Sequence, residues 1–360
     1  MKRSKKGRSH MINTKYARKR RLGLASLGIA TAAVLVLSAC GSGEPADNSG
    51  DTPKELTSVT LTTNYLAGGP NSGFMLAKER GYYEEVGLDV KIQEGQGSAT
   101  TASVIDQGNS EFGYADGPAA MQVTSQGGDV LIVAPVLQTN GFSIMSLREN
   151  GITSVGDLVG KTVGVQPGTA QANLFNAVLA ANDVDSGSVE IVNIDPSALV
   201  GSLLQGAVDA ITAGADSQGV QLRDQGADIN EILYKDAGVP TVGLSMIVQG
   251  AWAKANPELV TAFVTASLRG WDDARNDANA AAAAALKAFP AAGTEEAFVK
   301  QLNVDIPLLC SPGAEWLGKV PTKNWNLTFD LLVENLGLPD SKPITDYYTE
   351  DYLPEELPAC

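Results

Sequence analysis

From residue 59 onward, short β-rich apolar runs alternate with stretches whose apolar residues recur at helical spacing. Val59 to Thr63 alternates and is β-branched, which predicts a strand. Phe74 to Arg80 predicts a helix stopped by Gly81. Leu88 to Ile92 reads as a strand, Ala99 to Gln107 as a helix closed by Gly108, and Phe112 to Ala115 as a short strand. Pro118 suits the first turn of a helix running to Ser125. Val130 to Val136 is a continuous apolar run of the buried-strand type.

The pattern then restarts. Lys161 to Val165 predicts a strand, the turn Gln166-Pro167-Gly168-Thr169 follows, and Ala170 to Ala181 places Leu174, Ala177, Val178 and Ala181 on one helix face. Strands are expected at Val189–Ile194, Ala210–Ala213 and Ile229–Leu233, with a helix over Ala198–Gln205. Such alternation predicts an α/β fold of two lobes with mostly parallel sheets. The later segments are helical. Asn256-Pro257-Glu258 reads as a capped helix start, with Val260, Phe263, Val264, Ser267, Leu268 and Trp271 repeating behind it. An alanine-rich helix over Asn279–Phe289 ends at Pro290, and residues 294–303 and 324–336 read as further helices. No repeat of solenoid length is present.

The N-terminus has a different character. A basic stretch ends in Arg18-Lys19-Arg20-Arg21, an apolar run extends from Leu22 to Leu37, and Leu37-Ser38-Ala39-Cys40 follows. This is the layout of an export signal over residues 1–39. The last four residues resemble the bacterial lipobox, which makes Cys40 the lipidated first residue of the mature chain. The alternative is an uncleaved anchor, although the run is short for a span of about 20 residues. Residues 40–56, rich in Gly, Ser, Pro, Asp and Asn, read as a lipidated flexible tether. The expected location is extracytoplasmic, at the cell membrane.

Of 26 basic residues ten lie in 1–39, where no acid occurs, so the mature chain keeps 16 against 41 acidic residues, a formal charge of −25. A body this acidic argues against nucleic acid as a partner. The one histidine, His10, also falls within the signal. A histidine-free mature chain excludes His-dependent triads and ordinary His-containing zinc sites. No Gly-x-Ser-x-Gly elbow or phosphate loop occurs, which leaves paired-carboxylate catalysis as the open enzymatic class. Neither metal nor cofactor is expected. Outside the cell the remaining cysteines, Cys310 and Cys360, most often pair, which would clip the tail to the body; two separate thiols are the alternative.

An ordered series of segments resembles a known family. It runs through Asn64-Tyr65-Leu66, the stretch Phe74 to Leu88 (FMLAKERGYYEEVGL) and Gly97-Ser98-Ala99-Thr100, then Phe112 to Asp116 (FGYAD) and Asp157 to Val165 (DLVGKTVGV). Asn256 to Val260 and Arg269-Gly270-Trp271 complete it. The series is similar to solute-binding proteins of ABC importers, in the branch of sulfonate, taurine, nitrate and thiamine-precursor binders, over nearly all the mature length. The resemblance implies a type II periplasmic-binding-protein-like fold, with two lobes closing on solute by hinge motion. Lobe I is expected at 57–139 plus 252–360 and lobe II at 140–251. The implied protein is a monomer whose partners are a small solute and the importer's permease and ATPase. Two alternatives stand beside this reading. One is a tethered sensor for a signalling receptor. The other is an enzyme of the related pyrimidine-synthase type, whose catalytic histidine has no counterpart here.

Ligand contacts are expected after strands and at helix starts, where backbone N–H groups point outward. Tyr65 would stack on a planar ligand or cover its lobe. Gly97, Ser98 and Ala99 would approach the ligand or cap a helix. Asp116, with Gly117, would cap a helix or accept bonds from a ligand amine. Gln166, Gly168, Thr169 and Ala170 have the same geometry in the second lobe. Gln138 and Thr139 near the hinge, Asp195 and Asp216 are further candidates, the last two with capping as the alternative. The mature chain has five arginines, Arg80, Arg148, Arg223, Arg269 and Arg275, none in these loops. Arginine is the usual bidentate partner of anions. Its absence beside several aspartates favours an amine-bearing or neutral heterocycle such as an amino-pyrimidine over a sulfonate or nitrate. Helix N-termini, Lys161 and Lys235 remain alternative anion partners.

Overall fold

The computed structural model describes residues 55–360. The signal, Cys40 and nearly all of the tether lie outside the described residues.

The first half of the chain runs β1 (Thr57–Thr62), α1 (Ser72–Glu79), α2 (Tyr82–Glu85), β2 (Leu88–Gln93), α3 (Ser98–Asp106), β3 (Phe112–Asp116), α4 (Gly117–Ser125) and β4 (Val130–Pro135). It continues through β5 (Phe142–Leu147), β6 (Thr162–Val165), α5 (Ala170–Ala181), β7 (Glu190–Asn193), α6 (Leu199–Leu204), β8 (Ala210–Gly214), α7 (Gln218–Asp224) and β9 (Ile229–Leu233). Then come β10 (Leu244–Gln249), α8 (Gly250–Ala255), α9 (Pro257–Asn276), α10 (Ala278–Ala288), α11 (Glu295–Asp305) and α12 (Thr322–Leu336).

Two five-stranded sheets result, ordered β2-β1-β3-β10-β4 and β7-β6-β8-β5-β9. In each, the strand that crosses from the other half of the chain is antiparallel to its neighbours: β10 against β3 and β4, and β5 against β8 and β9. The remaining pairings are parallel, as strand–helix alternation requires. Both crossing strands, β5 (FSIMSL) and β10 (LSMIVQ), are absent from the expectations above. The expected lobe boundary at 251 is therefore corrected. β10 belongs to the first sheet, so the return crossover lies between Leu233 and Leu244.

The two crossovers run side by side. Gly243 N donates to Leu137 O at 3.0 Å, and Asn140 N donates to Thr241 O at 2.9 Å. The buried Asn140 side chain reinforces the pair. Its Nδ2 donates to Val239 O at 3.0 Å and Thr241 Oγ1 at 2.8 Å, and its Oδ1 accepts from Phe142 N at 3.1 Å.

The first lobe's core lies between its sheet and helices α1 and α9. Phe112 stacks on Phe263 with ring centroids 3.8 Å apart, and Phe74 meets Trp271 edge-on at 5.6 Å. Glycines let the helices approach. A Cβ on Gly73 would enter the Trp271 indole, and one on Gly270 would strike Gly73 O and Ala77. Asn256 occupies the N-cap position of α9 but its side chain donates to Trp252 O at 2.9 Å, so it does not cap as the sequence suggested.

The C-terminal segment is not confined to lobe I. Trp325, Leu331, Leu332 and Tyr347 share a buried cluster with Leu174, Phe175 and Val178 of α5. Tyr347 O accepts from Ile132 N at 2.9 Å and Thr349 N donates to Ile132 O at 3.0 Å, which covers the β4 edge of the first sheet. Cys310 and Cys360 are disulfide-bonded, with Cα atoms 5.8 Å apart. The C-terminal part thus straps both lobes.

Candidate functional site

The ends of β3 and β8 carry the acids that the sequence singled out. Asp116 is the last residue of β3 and occupies the N-cap position of α4, but its carboxylate makes no capping bond. Instead Oδ2 accepts from Ser98 Oγ at 2.9 Å, and Ser98 Oγ in turn accepts from Asp116 N at 3.1 Å. Ser98 opens α3 behind Gly97, whose φ of +119° suits only glycine and whose missing side chain leaves open space. Asp216 follows β8, between Gly214 and α7, and is half-buried.

A third acid joins them that the sequence reading missed. Asp305 ends α11 and is 1% exposed. It sits at the seam between lobes. Val304 beside it packs on the second lobe's cluster of Met145, Leu199 and Ile211, and Lys300, one turn earlier, reaches Asp224 of α7 at 2.8 Å. A single Asp on a polar-looking helix end gives no sequence signal for this placement; only the approach of α11 to α7 does.

All three acids are raised, chiefly by burial. Burial pushes Asp116 up to about 6, with Asp216 adding to the rise and the Ser98 hydrogen bond opposing it. Burial also raises Asp216, against hydrogen bonds that include one from Ser217, and Glu231 adds to the rise. Burial pushes Asp305 well above the usual carboxylate range, helped by Asp216 and then Asp116. The phenol of Tyr114, on β3 two residues before Asp116, is raised by burial and by all three acids. Among the described residues, the buried Tyr114 hydroxyl and Asp305 Oδ2 have no hydrogen-bond partner.

No lysine or arginine forms an ion pair with Asp116, Asp216 or Asp305 among the described residues. Arg80 pairs with Asp273, Arg148 with Asp228, Arg223 with Glu231, Arg269 with Glu85 and Arg275 with Asp272. Lys161 and Lys235 stand beside Asp209 and Asp236.

The other expected residues divide. Tyr65 is 51% exposed on the loop after β1, with Leu66 beside it at 56%, so its ring covers no core. Gly168 has φ +80° and opens onto free space, while Thr169 caps α5 by accepting from Ala172 N at 3.3 Å and donates to Gln166 O at 2.8 Å. Ala99 and Ala170 lie in the first turns of α3 and α5, and Gly117 opens α4. Gln138 is fully engaged elsewhere. Its Oε1 accepts from Ser311 N and Oγ at 3.2 and 3.1 Å, and its Nε2 donates to Trp316 O at 2.7 Å. It holds the C-terminal strap; its neighbour Thr139 is buried. Asp195 is exposed and accepts from Ser197 N at 3.0 Å and Oγ at 2.6 Å, which is the capping alternative.

Comparison with known proteins places the chain in a family. The model described as NMT1/THI5 like matches residues 70–281. The chain belongs to this family. A formylaminopyrimidine-binding protein of Halalkalibacterium halodurans is 25% identical over 242 residues, 67% of this chain and 72% of that protein. A riboflavin-binding protein of Chloroflexus aurantiacus is 26% identical over 266 residues, 70% of this chain and 74% of that one. The match to binding proteins of Brucella is 30% identical but spans only 41% of their length. The fold matches the periplasmic aliphatic sulphonate binding protein of Escherichia coli with a TM-score of 0.66 at 17% identity, covering 82% of this chain and 99% of that one. Two α/β lobes of the periplasmic-binding-protein kind, expected from the alternating pattern and the resemblance, are the fold of this protein.

Proposed function

We propose that the protein captures a small nitrogen heterocycle of the amino-pyrimidine class between its lobes and delivers it to the permease of an ABC importer, whose ATPase drives uptake. It acts as a binding protein, not an enzyme, monomeric and held outside the cytoplasm by a lipid on Cys40. The observation that carries the reading is the acidic seam. Asp116 and Asp216 stand at the strand ends of opposite lobes, with no lysine or arginine paired to them among the described residues, where parallel sheets place ligands. Donors on a heterocycle's amino groups match carboxylate acceptors, and an anion would meet repulsion there. The Halalkalibacterium relative, named for a formylaminopyrimidine, supports the same ligand class. Tyr65, Gly97, Ser98, Gly168 and Asp116 would line the cleft.

Thermal melting of the purified protein against amino-pyrimidines, riboflavin, taurine, alkyl sulfonates and nitrate tests this. A ligand at about 100 times its dissociation constant stabilises by roughly 2.7 kcal/mol. A shift with amino-pyrimidines alone is expected. A shift with sulfonate or nitrate alone would replace the ligand class, and no shift with any solute would remove the reading.

A further inference from the structure

We infer that Asp305, together with Asp116 and Asp216, forms a three-carboxylate pocket at the inter-lobe seam that takes a positively charged nitrogen of the ligand, with the Tyr114 hydroxyl beside it. This rests on the solute-binding reading and narrows it from nitrogen heterocycles in general to organic cations.

The argument starts from satisfaction of buried groups. A buried carboxylate oxygen and a buried phenol without partners each carry a desolvation cost. Asp305 Oδ2 and Tyr114 Oη are both in that position among the described residues. Asp305 cannot be explained as a structural ion pair, because no lysine or arginine among the described residues pairs with it. Lys300, the nearest cation along α11, is held by Asp224 and Glu296, each at 2.8 Å. Across the seam, Arg223 of α7 is spent on Glu231 of β9 at 2.6 Å.

The spacing sets the kind of cation. Asp216 adds to the rise of Asp116, and both add to that of Asp305, yet no group of three or more His, Cys, Asp or Glu among the described residues converges tightly enough to hold a metal ion. An ammonium or protonated ring nitrogen spreads several N–H donors over a wider radius and serves separated acceptors at once. Because the acids come from β3, the β8–α7 loop and α11, only apposed lobes present all three. The cation would then favour the closed arrangement by its own differential affinity.

Burial raises all three carboxyls above the usual carboxylate range. A bound cation favours the ionised carboxylates, so binding releases protons to the buffer. Charge balances: each positive charge that enters is offset by ionisation of a carboxyl, whose proton leaves to water.

The test uses the full-length chain and defined probes. The cations are an aminomethyl-pyrimidine, thiamine and putrescine. The hydroxymethyl analogue of the same pyrimidine and riboflavin are neutral, and methanesulfonate and nitrate are anions. Calorimetry in two buffers of different ionisation enthalpy reads affinity and proton release together. A cation is expected to bind at least about tenfold tighter than its neutral counterpart, with net proton release that Asp305→Asn reduces. Tyr114→Phe, which keeps the ring packing, should weaken the cation and leave neutral probes unchanged. It serves as the second variant should Asp305→Asn fail to fold. Equal or tighter binding of the hydroxymethyl-pyrimidine, or of an anion, would overturn the inference while leaving a solute-binding protein. Binding of no probe at millimolar concentration would overturn both.

Discussion

Ser98 and Asp116 hold each other by two reciprocal hydrogen bonds: the serine hydroxyl donates to Asp116 Oδ2 at 2.9 Å and accepts from the Asp116 backbone N–H at 3.1 Å. The bond to Oδ2 favours the ionised acid and opposes the rise that burial causes. Ser98→Ala should therefore move the Asp116 titration above its value of about 6, and cost about 1 kcal/mol of stability. Carboxyl chemical shifts followed through pH 4–8 check the direction; a downward move would show that the bond does not govern the acid.

Stability should depend on pH with the opposite sign to ordinary acid unfolding. Asp116 has a raised folded-state pKa, so between the usual carboxylate value and about 6 the folded chain holds more protons than the unfolded one. Its contribution therefore falls as pH rises through that window, by no more than about 3 kcal/mol. Asp216 and Asp305 are raised too and act with the same sign. Urea unfolding of the ligand-free protein should give greater stability at pH 5 than at pH 7, and Asp116→Asn should flatten that difference.

The two crossovers are locked by one side chain. Asn140 bonds both Val239 and Thr241 from inside the protein. Asn140→Leu leaves the Phe142 N–H and the Val239 carbonyl without this partner, and should cost about 2–3 kcal/mol. Thr241→Val, which removes one acceptor, should cost less. Equal midpoints for Asn140→Leu and wild type in denaturant would show that the crossovers do not depend on it.

Close helix packing makes a second stability test. Gly73→Ala and Gly270→Ala both force α1 away from α9, because the added methyls meet the Trp271 ring and the α1 backbone. Each should destabilise by about 1–3 kcal/mol. Together they should cost less than their sum, since the first separates the helices for the second.

The Cys310–Cys360 bond closes a sequence separation of 50 residues. The loop-entropy model assigns such a bridge roughly 4 kcal/mol. Cys360→Ser should lower the melting temperature and free the tail, where Arg275 Nη2 donates to Ala359 O at 2.6 Å. Ligand affinity should change little, because the cleft acids lie on other elements.

Cys40→Ala should yield a protein without lipid that fractionates away from membranes. Retention at unprocessed length would favour the uncleaved anchor.

Sequence alone determined the alternation of strands and helices. The alternating run at Val59 and the helical faces of α5 and α9 are local patterns set by burial on one side, and the continuous runs at Val130 and Ala210 by burial on both. It also shows that His10 is the single histidine, a fact that holds in any fold. The position of Asp116 at a strand end was legible from the apolar run before it and Pro118 after it. Tertiary structure decided the rest. β5 and β10 carry apolar residues of strand type, but which sheet they join depends on partners from the other half of the chain, and that moved the lobe boundary. For the further candidates Gln138 and Asp195, the fold decided where the polar atoms went: to Ser311 and Trp316, and to the capping bond with Ser197. Asp305 had no local mark at all. Its carboxyl reaches the seam because α11 meets α7 there, a contact between residues 76 positions apart that no short pattern encodes.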